Sequence, residues 1–315
     1  GNVYLTGIVR DKLGRKMSKT LGNSPDPLDL IAKYGADAVR IGMLLCASAG
    51  NDIFYDESQI EQGRNFCGKI WNSYRLVKGW TVDENAEQPE ACRIAVEWFR
   101  NKMSQTIETV EDHYSKFRIS DALMSIYKLF WDDYCSWYLE LIKPAYGQPI
   151  DKATYNDTLG FFEALLKMIH PVMPFITEEL WQDMAERKDG ETIMFQPSPK
   201  AGSYDANLIA SFELAEEAVN AVRSIRQQKN ISPKEALQVK FKGEFPAEMI
   251  SVVSKLANAS SVEMVSDFGA TSEGVSQMIR TVEMYVPLTG KVNVEEEIAK
   301  LEAELKYQKE FLESV

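Results

Sequence analysis

Apolar residues recur at three- and four-residue spacing through the segment 57–80, with polar residues between them. This spacing predicts one amphipathic helix, because side chains three and four positions apart share a helix face. We assign to its buried face Ile60, Cys67, Ile70, Trp71, Tyr74 and Val77. A polar stripe beside that face consists of Arg64, Asn65, Lys69, Asn72 and Arg75.

The same periodicity predicts long helices over about 91–115, 120–142 and 153–169. The last two end at Lys143–Pro144 and His170–Pro171, because a residue before proline disfavours helical backbone. A further helix is predicted to begin near Thr177, whose hydroxyl suits a helix N-cap. Several long helices joined by short loops are typical of an α-helical bundle.

The pattern changes beyond Pro199. A helix over about 206–229 is followed by alternating segments that predict strands at 237–241, 261–265 and 281–288, with a helix at about 246–257. This order indicates a small α+β subdomain. The next apolar residues have a heptad-like spacing, which predicts the start of a coiled coil. They are Val294, Ile298, Leu301, Leu305 and Leu312.

The amino end has a different pattern. Residues Val3–Val9 predict a short strand, followed by a charged turn. Asp26 before Pro27 is typical of a helix start, Gly35 interrupts that helix, and a second helix is predicted over Ala36–Cys46.

Composition narrows the possible functions only slightly. No apolar run approaches the roughly 18 residues of a membrane span and no signal peptide is apparent, so we expect a cytoplasmic chain. The four cysteines lack metal-site or disulfide spacing, so we expect reduced thiols and no metal site. The formal charge of −12 argues against nucleic-acid binding only if charge is uniform, and residues 1–20 carry five basic residues against one acid.

The segment Lys16-Met17-Ser18-Lys19-Thr20 carries the most chemical information. Two lysines three positions apart on a loop behind a strand can both reach one polyanion, which suits phosphate handling. A spacing of this kind is also common in solvated surface loops, so the pattern alone leaves both interpretations open.

The context of that segment resembles a known family. KMSKT-LGN followed by DPLDLIAKYGADAVR resembles the KMSKS signature and following helices of class I aminoacyl-tRNA synthetases, with Thr20 replacing a serine. The resemblance implies that residues 16–20 bind ATP, with its Mg²⁺, and that Lys16 and Lys19 are catalytic. Both lysines would stabilise charge on the departing pyrophosphate, and we expect Lys19 to matter most.

The following segments resemble the valyl group of that family. They are NDIFYDESQIEQGRNFCGKIWNSYRLV (51–77), WDDYCSWYLELIKP (131–144) and HPVMPFITEELW (170–181), the last shared with isoleucyl and leucyl relatives. The resemblance implies that Arg64, Asn65, Lys69, Asn72 and Arg75 contact valine tRNA, since anticodon-loop bases are unpaired and open to side-chain contacts. The alternative is that this stripe packs on a catalytic domain or faces water. Leu76 stands where many valyl enzymes have an aromatic residue.

Other candidate residues have structural explanations. Trp131, Trp137, Tyr138 and Trp181 have the spacing of apolar helix faces, which favours core packing over a binding surface. His113 and His170 lie far apart, and we expect packing or capping roles for both.

We therefore predict a mainly α fold in four parts. Residues 1–50 form the last strand and lysine loop of a class I Rossmann catalytic domain, and 51–204 form an anticodon-binding helical bundle. Residues 205–290 form a small α+β subdomain, and 291–315 begin a coiled-coil helix.

The predicted function is tRNA recognition within an enzyme that joins valine to valine tRNA using ATP. No HIGH-like tetrapeptide, amino-acid pocket or editing domain is found, and one strand cannot make a Rossmann domain, so the chain alone is expected to be inactive. No obligate protein partner is evident. The alternatives are part of an isoleucyl, leucyl or methionyl enzyme, or a stand-alone non-catalytic tRNA-binding module.

Overall fold

A computed structural model describes residue 3 and residues 7–47, 50–269 and 274–288. The chain divides into two compact units, Gly1–Ala206 and Asn207–Val315. The predicted coiled-coil segment, with Val294, Ile298, Leu301, Leu305 and Leu312, lies outside the described residues.

The first unit begins with a short parallel pair of strands. β1 (Val9–Arg10) pairs with β2 (Ile53–Phe54), so the strand predicted over Val3–Val9 is described only at its end. Between them lie α1 (Pro27–Tyr34) and α2 (Ala36–Leu45). As predicted, the Asp26 side chain accepts a hydrogen bond from the Leu28 amide, and Gly35 separates the two helices.

The rest of the first unit is mainly a bundle of helices. They are α3 (Glu57–Lys78), α4 (Glu90–Ser115), α5 (Ile119–Lys128), a π-helix (Leu129–Tyr138), α6 (Leu139–Ile142), α7 (Lys152–Ile169) and α8 (Pro174–Met184). A short parallel pair, β3 (Val82–Asp83) with β4 (Ile150–Asp151), links the connections before α4 and α7. The predicted helix over 120–142 is thus a single helical stretch with a π-helical middle.

Aromatic side chains fill the centre of this bundle. Phe99 contacts the rings of Tyr134, Tyr138 and Phe161, and the Tyr138 hydroxyl lies 2.8 Å from Thr158 Oγ1. Tyr138 and Trp181 are fully buried, as the sequence predicts. Burying these large rings supplies much of the apolar area that stabilises the unit.

The start of α8 corrects the prediction at Thr177. The helix begins three residues earlier, at Pro174, and the Thr177 hydroxyl instead donates 2.6 Å to the Met173 carbonyl. The N-terminal amides of Phe175 and Ile176 are bound by the Asp37 carboxylate of α2. A cap supplied by a residue so distant in sequence leaves no local sequence signal.

The second unit combines α9 (Ala206–Gln228) with a four-stranded sheet of order β6-β5-β8-β7. β5 (Leu237–Lys242) pairs in parallel with β6 (Ala259–Met264) and antiparallel with β8 (Val282–Pro287), which pairs antiparallel with β7 (Gly274–Ile279). A 3₁₀ turn (Ala247–Met249) and α10 (Ile250–Leu256) connect β5 to β6. The sequence patterns predicted three of these strands and missed β7.

Candidate nucleotide and tRNA sites

The lysine loop folds back onto β1. Arg10 and Lys16 form an antiparallel bridge, and the Met17 amide donates 3.0 Å to the Val9 carbonyl. The Arg10 guanidinium donates to the Asp52 carboxylate at 2.5 Å and to the Gly14 carbonyl at 3.1 Å. The base of the loop is therefore fixed to both strands of the β1–β2 pair.

Asp11 and Asn23 organise the loop from within. The Asp11 carboxylate accepts hydrogen bonds from the Asn23 amide group at 2.9 Å, from the Arg15 guanidinium at 2.8 Å and from the Leu13 amide. The Asn23 side-chain oxygen accepts from the Ser18 amide at 2.9 Å. The hydrogen bond from Asn23, with those from Arg15, lowers the pKa of Asp11 far below its ordinary value.

This network presents Lys16 and Lys19 to solvent. Both side chains are exposed, whereas Met17 and Ser18 are half-buried and the Ser18 hydroxyl accepts the Leu21 amide at 3.2 Å. Within the part of the chain that the structure describes, neither ammonium has an ion-pair partner, whereas neighbouring Lys12 pairs with Asp56 at 3.1 Å. Two unpaired cations on an anchored loop can act on a polyphosphate. Thr20 is also exposed, beside them.

The predicted tRNA-contacting residues lie on α3. Arg64, Asn65, Asn72 and Arg75 are exposed, and Lys69 is half-buried. The Lys69 ammonium lies 5.3 Å from the centre of the Trp131 ring, which in turn stacks on Tyr127 with centroids 5.6 Å apart. Trp131 is half-buried, so this column combines a cation with partly accessible ring surface, and core packing alone does not describe Trp131.

Trp71 departs from its predicted position. It was assigned to the buried face of α3, yet 42% of it is exposed, and it lines a groove between α3 and α8. Trp71 lies seven residues after Arg64 and four before Arg75, which puts it on the polar stripe. The angular position of Trp71 around the helix, counted from Arg64, predicts its exposure. An apolar side chain does not by itself show which face of a helix a residue occupies.

The remaining candidate groups are structural. The His170 Nδ1 atom lies 2.7 Å from the Thr177 hydroxyl, and burial lowers the histidine pKa. All four cysteines are free, and burial raises the pKa of Cys67 and of Cys135 to about 12. Such thiols stay protonated and unreactive at neutral pH.

Two family models match separate parts of the chain. Residues 1–56 match "tRNA synthetases class I (I, L, M and V)", and residues 96–241 match "Anticodon-binding domain of tRNA ligase". The first match includes the lysine loop, and the second includes most of the bundle and continues into β5.

Relatives cover the entire chain. Valine–tRNA ligases of Parabacteroides distasonis and Phocaeicola vulgatus are 57% and 56% identical to it over 314 and 315 residues, and that of Fusobacterium nucleatum is 36% identical. The chain belongs to the valine–tRNA ligase family. It spans 36% of the length of the first two relatives and 37% of the third.

Similarity within this family extends from the lysine loop through both units, because each alignment covers 100% of the chain. A weaker structural likeness is to the agnB2 LeuRS–tRNA–LeuAMS ternary complex of Agrobacterium radiobacter K84, with a TM-score of 0.45 and 23% sequence identity. The match covers 65% of this chain and 24% of that one. Among the described residues, no helix is both long and apolar enough to cross a membrane.

Proposed function

We propose that the enzyme containing this chain activates valine with ATP and attaches it to valine tRNA, and that this chain supplies the pyrophosphate-binding lysines and the tRNA-recognition surface. The observation that carries the proposal is the anchored loop with two exposed, unpaired lysines. Membership of the valine–tRNA ligase family supports the same substrates.

In this proposal, residues 16–20 close over ATP and the lysines act in adenylate formation. As the valine carboxylate attacks the α-phosphate, negative charge accumulates on the departing pyrophosphate, and the ammonium groups of Lys19 and Lys16 stabilise that charge. The Mg²⁺ is the ion carried by ATP. Met17, Ser18 and Thr20 would line the nucleotide through backbone and hydroxyl contacts.

The tRNA-binding role rests on α3. Arg64, Asn65, Asn72 and Arg75 offer exposed donors to phosphates and base edges, while Lys69 and Trp131 offer a cation next to a ring. Single-stranded anticodon bases are bound by such combinations of hydrogen bonds and stacking. Concentrating the cations on this face and the lysine loop makes binding compatible with the overall negative charge.

The finer layout is part of the proposal. Residues 1–50 would end a Rossmann catalytic domain, 51–204 form the anticodon-binding bundle, 205–290 an α+β subdomain and 291–315 the start of a coiled coil. Support comes from the β1–β2 pair, the helices of the first unit and the four-stranded sheet of the second. The enzyme would work in the cytoplasm, where aminoacylation takes place.

A binding experiment tests tRNA recognition. The 315-residue chain is titrated into labelled valine tRNA, isoleucine tRNA and an anticodon-swapped pair between about 50 and 200 mM salt. We expect preference for valine tRNA, dependence on the anticodon, and weaker binding at high salt. Arg64→Ala should weaken binding, whereas Arg93→Ala on α4, whose partner is Glu97, should not. Preference for isoleucine tRNA would contradict the proposal.

An exchange experiment tests the lysines. In the intact enzyme, Lys19→Ala should lower ATP–pyrophosphate exchange by about 100- to 1000-fold, the cost typical of removing one transition-state donor. Lys16→Ala should cost less, and Lys12→Ala, already paired with Asp56, should cost little. We propose that the 315-residue chain alone binds tRNA without exchange, and exchange by the chain alone would refute that part.

A further inference from the structure

A groove of about 460 Å³ lies between α3 and α8, and of its lining residues only Arg75 is among the proposed anticodon contacts. Its walls include Trp71, Arg75 and Lys78 of α3 and Glu179 and Asp183 of α8. The side chain that offers the largest flat apolar surface in the groove is Trp71, which is 42% exposed.

The floor of the groove is held in place by internal bonds. The Tyr74 hydroxyl donates to the Asp183 carboxylate at 2.5 Å, and the Lys78 ammonium donates to the Asp183 carbonyl at 3.1 Å. Tyr74 is itself buried and stacks on Phe162 with ring centroids 5.5 Å apart. The floor therefore needs little rearrangement to receive a ligand, which lowers the entropic cost of binding.

Two charged groups at the groove remain available. Arg75 and Glu179 are both exposed, and neither side chain has a hydrogen bond or ion pair within residues 7–47, 50–269 and 274–288. A flat ring, a free guanidinium and a free carboxylate thus line one groove. This set complements a nucleotide, whose base stacks, whose phosphate is anionic, and whose base N–H groups donate to a carboxylate.

The geometry points to the α3–α8 groove as a seat for one unpaired tRNA nucleotide whose base carries an exocyclic amino group. Trp71 would stack on the base, Arg75 would bind the adjoining phosphate, and Glu179 would accept hydrogen bonds from the amino group. Uracil lacks that donor and is therefore disfavoured. This inference rests on the proposed tRNA-binding function, and the groove is continuous with the stripe that carries Arg64.

Short RNA probes test the groove directly. The chain is titrated with labelled single-stranded pentamers UUGUU, UUCUU, UUAUU and UUUUU. We expect UUUUU to bind weakest, and Trp71→Ala to weaken UUGUU binding by about 5- to 100-fold, the range for removing one stacking aromatic. Trp71→Phe should restore part of the loss. Tyr146→Ala, which removes a fully exposed aromatic elsewhere in the first unit, should have no effect.

The carboxylate is tested by specificity. Glu179→Ala, which removes the acceptor, should abolish the preference for amino-bearing bases over uracil while UUUUU affinity stays the same or rises. Glu186→Ala serves as the charge-matched control. Because Trp71 and Glu179 are exposed, the variants should keep the wild-type circular dichroism spectrum. Unchanged UUGUU affinity in Trp71→Ala would overturn the nucleotide seat and leave the groove as a protein-facing surface. An unchanged preference in Glu179→Ala would overturn the role of the amino group.

Valine tRNA separates this inference from the function on which it rests. If Arg64→Ala weakens valine tRNA binding and Trp71→Ala does not, the groove proposal fails and the tRNA-binding function stands. If the wild-type chain shows no preference for valine tRNA while Trp71→Ala still weakens UUGUU binding, the function fails and the seat stands as a general RNA site.

Discussion

At the scale of single residues, the lysine loop is organised by the Asp11 carboxylate, which accepts hydrogen bonds from other residues of the loop. Asp11 accepts hydrogen bonds from Leu13, Arg15 and Asn23, and Asn23 in turn holds the Ser18 amide. These bonds hold the backbone amides on both sides of Lys16, at Arg15 and at Ser18. We conclude that Asp11 positions the loop while Lys16 and Lys19 supply its charge.

Asp11→Asn should loosen the loop without unfolding the chain. One anionic acceptor for Arg15 and Asn23 is lost, so amide hydrogen exchange of Arg15 and Ser18 should accelerate several-fold, because hydrogen bonds to charged groups are the stronger ones. Exchange in α3 should not change. Asp29→Asn, an exposed acid on α1, is the control. Equal exchange at Ser18 in both variants would contradict this role.

The loop should also resist mild acid. Because hydrogen bonds to Asn23 and Arg15 lower the Asp11 pKa in the folded chain, its contribution to stability is present above the ordinary value of 3.8 and is lost only as pH falls through the lower folded value. A carbon-13 titration of the Asp11 carboxyl group should therefore show no midpoint between pH 7 and about 3. A midpoint near the ordinary value would show that the network is not formed in solution.

The sequence predicts these residues unevenly. Lys16–Thr20 can be proposed as a phosphate-binding loop from motif and context, because the proposed chemistry requires particular residue types at fixed spacing. Asp11 cannot, because its role depends on how the loop folds back to bring Asn23 beside it. Trp71 was assigned to the wrong face because apolar character was weighted above helical angle.

At the scale of elements, α2 and α3 cross closely through two glycines. A Cβ atom at Gly42 would lie 2.7 Å from the Gln59 carbonyl oxygen, and one at Gly63 would overlap the Ala38 carbonyl oxygen. Gly68, five residues later on α3, has open space around it. On the same helix, Gly63 is therefore required for close packing against α2, whereas Gly68 is not.

Gly63→Ala should destabilise the first unit by about 1–3 kcal/mol, because the added methyl forces α2 away from α3. Gly68→Ala should instead stabilise it by about 0.5–1 kcal/mol, since alanine loses less conformational freedom in a helix. Urea unfolding followed by circular dichroism measures both. Equal effects of the two substitutions would mean that the close crossing is absent.

The start of α8 offers a second test at this scale. Asp37 is buried and its carboxylate accepts from Ile176 at 2.7 Å and from Phe175 at 3.3 Å. Asp37→Ala should lower the free energy of unfolding by about 1–2 kcal/mol, the range for losing an N-cap. Asp37→Asn should cost less because it keeps an acceptor. Asp29→Ala is the exposed control, and a loss as large in that variant would contradict the capping role.

Element boundaries follow from the sequence where the cause is local. Asp26 marks a helix start through its side-chain cap, whereas Gly35 and Pro144 mark helix ends through their backbone preferences. The predicted helices α1 to α4 are found within about two residues. The start of α8 could not be predicted locally, because the residue that caps it, Asp37, is far away in the chain. β7 was missed because its residues Gly274–Ile279 alternate weakly and pair only with β8.

At the scale of the whole molecule, the second unit has its own internal anchor. Arg226 of α9 is 6% exposed and donates to the Ser232 carbonyl at 2.9 Å, to Ala257 at 3.0 Å and to Asn258 at 3.1 Å. It therefore ties α9 to the end of α10 and to the start of β6. All of these partners lie within Asn207–Val315.

Arg226→Met should destabilise the second unit selectively. Methionine fills part of the space but removes the guanidinium donor from three carbonyls, two of which, Ser232 and Asn258, keep a backbone amide donor. The loss should cost about 1–3 kcal/mol. Amide exchange should accelerate in α10, β5 and β6 and stay unchanged in α3 and α7, because no partner of Arg226 lies in the first unit. Lys255→Met, at an exposed position on α10, is the control. Faster exchange throughout both units would show that they unfold together, whereas a change confined to the second unit makes it an independent cooperative element.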